Sequence, residues 1–144
     1  MTPDGLEPME TSPQEVAELL KRYRIAVADA TVDGQSADGR YVDAYTAGFL
    51  LAKIVVRASG HRVKGGESHR DTLLAVPWLM GSGAQASVDA LDAARKRRNA
   101  TMYDAADLVD DEDVSAPLGR VAVFEGLVRD WLRLSHPELT TTMP

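Results

Sequence analysis

Apolar residues recur at steps of three and four along several long stretches of this 144-residue chain, and that spacing restricts it to helices. The first stretch carries Val16, Leu19, Leu20, Tyr23, Val27 and Ala30, and the second Val42, Tyr45, Phe49, Ala52 and Val56. The last carries Val121, Phe124, Leu127, Val128, Trp131 and Leu134. The punctuation agrees with this spacing. Ser12-Pro13, with Glu15 three residues after the serine, reads as an N-cap and capping box, and Asp33-Gly34 as the stop. Gln35 to Arg40 reads as a loop. A second helix is expected from Tyr41 to Ser59, closed by Gly60, with Ala47 and Gly48 leaving room for a neighbouring helix. Ser68 caps a shorter helix, His69 to Met80, which Pro77 should kink or end. After the break at Gly81-Ser82-Gly83, a fourth helix runs from Ala84 to Asp104. A fifth runs from Ala116 to Ser135, with Pro117 in its first turn. Ile54-Val55-Val56 lies inside a helical pattern, so no strand is expected. The reading is an all-α bundle of four to five helices over residues 12–136. Residues 1–11 are expected to be a disordered acidic tail and 137–144 a C-terminal tail.

Composition removes several function classes. The chain has no cysteine, so disulfides, thiolate metal sites and a cysteine nucleophile are excluded. Met1 to Gly5 carries neither the basic nor the apolar part of a secretory signal. Lys53, Arg57 and Asp29 interrupt the apolar stretches well before the ~20 residues that a membrane span needs. The expectation is a cytoplasmic protein with no membrane partner. Aspartates 110, 111 and 113 are too irregular for a calcium loop, so neither a metal nor a cofactor is expected. Gly65-Gly66 and Gly81-Ser82-Gly83 lack the following Lys-Ser or Lys-Thr of a nucleotide-phosphate loop.

The net charge is −6, but the charges are sorted. Residues 1–20 and 104–113 hold acids and no base, whereas Lys53 to Arg70 holds five Lys or Arg against Glu67 alone. Arg95-Lys96-Arg97-Arg98 follows on the fourth helix. A basic middle between acidic flanks suits either a local anion site or ordinary solvated helix faces.

The stripe of the fourth helix is the most informative pattern. It begins and ends apolar, at Val88, Leu91 and Met102, yet places Arg95 and Arg98 between them. Charged residues rarely hold core-facing positions unless paired or used. Asp92, three residues before Arg95, is one surface partner, and Asp29 or Asp43 on earlier helices are candidate counter-ions across the bundle. Arginine also snorkels from half-buried positions and complements the C-terminal half of a helix dipole, so a purely structural role stays open.

Arg98-Asn99-Ala100-Thr101-Met102-Tyr103 resembles the signature of the HEPN family of helical bundles. There, an Arg followed by a polar residue precedes a His by four to six positions near the end of a helix. The run from Leu91 to Arg98 is similar to one bacterial branch of that family, and the helix order over most of residues 12–136 also matches. The resemblance implies a homodimeric bundle, in active members a metal-independent ribonuclease of toxin or defence type. Two motifs then face each other across the dimer. Its implied partners are RNA or a nucleotide, and a protein such as an antitoxin or a nucleotidyltransferase-like chain. Arg98 would hold the scissile phosphate, with Arg95, Arg97 and Asn99 as further RNA or phosphate contacts. The proton-carrying position is occupied here by Tyr103, whose reference pKa of about 10 makes it a poor neutral-pH base. His69 is the candidate substitute if the third helix packs against the fourth; His61 is another, and His136 lies too far along the chain. The alternative is a non-catalytic HEPN-like module that binds RNA, a nucleotide or a partner protein. Locally, Phe49 flanked by Leu50 and Leu51 marks the second helix as the expected dimer face. Tyr41, Tyr45, Phe49, Phe124 and Trp131 read as core rather than as a base-stacking platform.

Overall fold

The computed structural model describes residues 5–32, 34–65, 68–103 and 111–143, with the side chains at 98, 100–103 and 111–113 outside that description. It is an all-α bundle with one small two-stranded ribbon: β1 (Leu6–Pro8), α1 (Pro13–Ala30), α2 (Ala37–Ala58), β2 (His61–Val63), α3 (His69–Met80), α4 (Gln85–Tyr103) and α5 (Asp111–Ser135).

Short polar side chains set the helix starts. The Ser12 hydroxyl accepts the Glu15 N–H at 3.1 Å and Pro13 occupies the first turn of α1. Ser36 does the same for Gly39 at 3.0 Å, so α2 begins at Ala37, four residues before the apolar periodicity sets in. The expected loop over Gln35–Arg40 is therefore mostly helix. Ser68 caps α3 through the Asp71 N–H, and α3 continues through Pro77 to Met80. The start of α5 is likewise earlier than expected, at Asp111, which puts Pro117 in the second turn. Three acids at 111–113 favour the positive end of a helix and explain the extension. The expected acidic loop falls partly on 104–110, outside the described residues, as do Asp33, Gly66, residues 1–4 and Pro144.

α2 is the central helix and packs against α1, α3, α4 and α5. Its Tyr45, Leu51, Ile54 and Val55 are essentially sealed from solvent, together with Val16 and Leu20 of α1 and Phe124 and Val128 of α5. Gly48 makes the α2–α4 approach possible: a Cβ there would lie 2.2 Å from Leu91 Cδ2 and 3.2 Å from Val121 Cγ2. The expected dimer face on α2 is overturned, because Phe49 and Leu51 are buried inside the bundle and Leu50 packs against its core. On α5 the buried stripe runs through Val121, Phe124, Val128 and Leu132, which leaves Leu134 85% exposed instead of in the apolar face.

Both supposed tails are tied down in their described parts. β1 pairs antiparallel with β2 in the register Leu6 to Val63, Glu7 to Arg62 and Pro8 to His61. Leu6 is buried against Val56 and Ala75. For residues 5–11 the expectation of a strand-free, disordered segment is thus corrected, and a buried arginine helps to hold this segment in place. Arg57, in the last turn of α2, directs Nε to both Glu15 carboxylate oxygens. Its Nη1 reaches the carbonyls of Met9 and His61, and its Nη2 those of Glu10 and the Glu15 carboxylate. At the other end, Pro137–Thr140 form a 3-10 turn that buries Leu139. Thr142 Oγ1 donates to the Pro13 carbonyl at 3.0 Å, and Met143 packs on the core. Among the described residues no helix is long and apolar enough to cross a membrane.

A second polar link joins α1 to α5. The Tyr23 hydroxyl donates to Glu125 at 2.7 Å, and Arg129 Nε donates to the same carboxylate at 2.7 Å. Burial pushes Glu125 and Glu15 up, but hydrogen bonds outweigh it, from Tyr23 and Arg129 on Glu125 and from Arg57 and Thr11 on Glu15, so both lie below their ordinary 4.5. Burial and the Glu125 carboxylate push Tyr23 well above its ordinary 10. Groups lowered by folding stabilise above their unfolded pKa, and a raised one stabilises below it. Stability is therefore expected to be flat near neutrality, to fall below about pH 4.5, and to fall again above about pH 10. Urea unfolding at pH 7 and pH 3.5 checks the acid limb. Glu125→Gln should make it shallower, with Glu15 supplying the remainder, and an unchanged acid slope in that variant would rule out Glu125 as a source.

Candidate functional site: the groove between α3 and α4

The start of α3 positions the first candidate. Ser68 caps the helix and the Thr72 hydroxyl donates back to the Ser68 carbonyl, which fixes the first turn and His69 at its head. The His69 ring lies almost parallel to Phe49, with centroids 3.9 Å apart and an interplanar angle of 12°. Its Nδ1 is 2.8 Å from the buried Tyr45 hydroxyl. The Tyr45 hydroxyl thereby holds the ring at its Nδ1 edge.

The basic run of α4 is organised by one aspartate. Arg95 reaches Asp92 Oδ1 with both Nε and Nη2 at 3.1 Å, and Lys96 Nζ lies 3.4 Å from Oδ2. Burial raises the Asp92 carboxyl, but the hydrogen bonds from Arg95 and Lys96 and their charges dominate and hold it below its ordinary value. The counter-ion of Arg95 is thus its own helix neighbour rather than Asp29 or Asp43; Asp43 instead accepts from Gln35. Arg95 is mostly covered, whereas the Lys96 side chain is 70% exposed.

Arg97 turns to the other side of the same region. Its guanidinium carbon sits 5.5 Å from the centroid of the Tyr41 ring, in cation–π range. Tyr41, Tyr45 and Phe49 stand at four-residue intervals on α2, so one aromatic column carries Arg97 at one end and His69 at the other. Tyr41 and Tyr45 are one turn apart, about 6 Å along the axis. Asn99 is half-buried on α4. Arg98 and Tyr103 lie on the α4 backbone, and their side chains are outside the described residues, as is that of Met102. His61 is taken up in the ribbon, where its carbonyl serves Arg57. His136 meets Trp131 edge-on at 4.9 Å, next to Glu138.

Between α3 and α4 runs a groove of about 270 Å³, lined by Arg70 and Leu74 on one wall and by Asp89, Asp92, Arg95 and Lys96 on the other. Arg70, whose side chain is 70% exposed, is the contributor that sequence spacing did not single out. It sits next to His69, but only the packing of α3 on α4 brings it opposite Lys96. Among the described residues no group of three or more His, Asp or Glu is placed to hold a metal.

No family model, curated protein or solved structure matches the chain.

Proposed function

We propose that this chain is a HEPN-like RNA-binding module whose phosphate contacts are made by the cations of the α3–α4 groove. The observation that carries the reading is the convergence of Arg70, Arg95 and Lys96 from two helices on one groove of a protein whose net charge is −6. Guanidinium forks and an exposed ammonium suit phosphate oxygens. Asp89 and Asp92 line the same groove and offset part of this charge. Asp92 also holds Arg95 and Lys96 in place, which trades affinity for fixed geometry. Binding should therefore be modest and strongly salt-dependent. Two or three neutralised phosphates give a slope of roughly −1.5 to −2 in log K against log salt for a single strand.

Fluorescence anisotropy of a labelled single-stranded RNA at 50 and 200 mM salt tests this. Arg70→Ala with Lys96→Ala should weaken binding and shallow the salt slope by more than one unit. If the wild-type chain leaves the RNA unbound at 50 mM salt and high protein concentration, the reading fails.

A second reading, metal-independent RNA cleavage, is favoured by His69. A histidine oriented through Nδ1 and stacked on a buried ring is arranged as positioned acid–base groups are. In that reading Arg98 holds the phosphate, and Tyr103 or His69 moves the proton. Cleavage of mixed cellular RNA in EDTA that is lost in both Arg98→Ala and His69→Gln would make the protein an enzyme; intact RNA at all protein concentrations would leave binding alone.

A further inference from the structure

The aromatic residues that the sequence pattern assigns to the core are indeed covered, with Tyr41, Tyr45, Phe49 and Phe124 buried and Trp131 packed against the core. Trp78, which that pattern does not place, differs from the other described aromatic residues in having 47% of its surface in water. It stands on α3 four residues after Leu74, which is 55% exposed, and eight after Arg70. Residues at four-residue intervals share one helix face, so cation, aliphatic and indole form a single outward stripe beginning at the wall of the groove. Arg70 and Trp78 are about 12 Å apart along the axis, a span that one short oligonucleotide covers.

From this stripe we infer that the module takes single-stranded nucleic acid, with a base stacked on the Trp78 indole and the flanking phosphates on Arg70 and Lys96. The inference rests on the RNA-binding reading of the groove and specifies its substrate class. Single strands are required because only unstacked bases offer a free face to an aromatic side chain. A protein partner fits the stripe less well. Leu74 and Trp78 together expose on the order of 200 Å², against roughly 800 Å² per partner in a stable interface. An arginine at one end and an aromatic at the other, beside a cationic groove, is the charge pattern of a strand with alternating phosphates and bases.

The chain has two tryptophans, so Trp131→Phe leaves Trp78 as the sole tryptophan, followed by excitation beyond the tyrosine band. Titrating this variant with oligouridine at low salt should quench its emission saturably, and added salt should restore it. In the native background, Trp78→Phe should keep near-native affinity. Trp78→Leu, which preserves apolar bulk but has no ring face, should bind about 5- to 150-fold more weakly, the range that loss of one base–aromatic stack produces. If Trp78→Leu binds as tightly as the wild type, this inference fails while the groove reading stands. If the wild type does not bind oligouridine at all, both fall. Self-association that Trp78→Leu abolishes, with no quenching by oligouridine, would overturn the inference in favour of a second copy of the chain on this face.

Discussion

Replacing Arg57 by methionine is expected to remove about 3 kcal/mol or more of stability, chiefly because three carbonyls lose their donor at about 1–3 kcal/mol each. Glu15, whose side chain is 37% exposed, is taken up by water and adds less. The side chain is only 7% exposed, and all five of its N–H donors are engaged. Methionine fills much of the same volume, so the loss comes from the groups left behind. The carbonyls of Met9, Glu10 and His61 lose their donor, and Glu15 keeps its charge without its cation. Arg57→Lys should be nearly as damaging, because one ammonium lacks the planar fork that reaches three carbonyls and a carboxylate together. A midpoint drop of about 10 °C or more in thermal unfolding is the expected readout. Hydrogen exchange supplies a local one. The Met9 N–H bonded to the Gly60 carbonyl and the Lys64 N–H bonded to the Gly5 carbonyl should lose protection first, since the ribbon they close depends on the clamp. A methionine variant that melts like the wild type would show that the clamp is dispensable.

Gly48→Val is expected to cost about 2–3 kcal/mol by overpacking. Its Cβ would need the space held by the Leu91 methyls, and Val121 closes the other side. Leu91 and Val121 are both buried, so neither side chain has solvent to retreat into. Replacing glycine within a helix would by itself gain a few tenths of a kcal/mol with a β-branched residue, which is too little to offset the clash. The strain falls on the α2–α4 contact. α4 carries Arg95 and Lys96, so RNA affinity should drop with stability although no cation has changed. A double-mutant cycle with Leu91→Ala checks the mechanism. Each single change destabilises, and the pair should be less damaging than the sum by about 1 kcal/mol or more. Strict additivity would mean that the valine is accommodated elsewhere.

Much of the helical framework was legible from residue order, because its determinants are local. Ser12 and Ser68 announce the starts of α1 and α3 through side-chain hydrogen bonds to amides three residues on, and such caps depend on nothing outside their own turn. The three-four spacing of Val16, Leu19, Leu20 and Tyr23, and of Tyr45, Phe49 and Ala52, reports burial because a helix in water must hide one face. Gly48 as a site of close helix approach followed from its lack of a Cβ. α2 and α5 start earlier than apolar spacing predicts because both first turns are polar, and apolar periodicity is blind to them.

What tertiary structure alone decided are the features made by residues distant along the chain. Arg57 looked like one member of a basic segment; only the return of residues 9–15 and 61 to the end of α2 turns it into a buried clamp and the N-terminal segment into a strand. Arg70 met Lys96 because α3 packs on α4. Trp78 was left in water for the same reason: among the described residues, none covers the face of α3 opposite its packed side. Local sequence determines which turns of chain are helical and which face is apolar. Which polar side chains end up facing one another across a groove depends on how the helices settle together, and no spacing rule within a single helix encodes that.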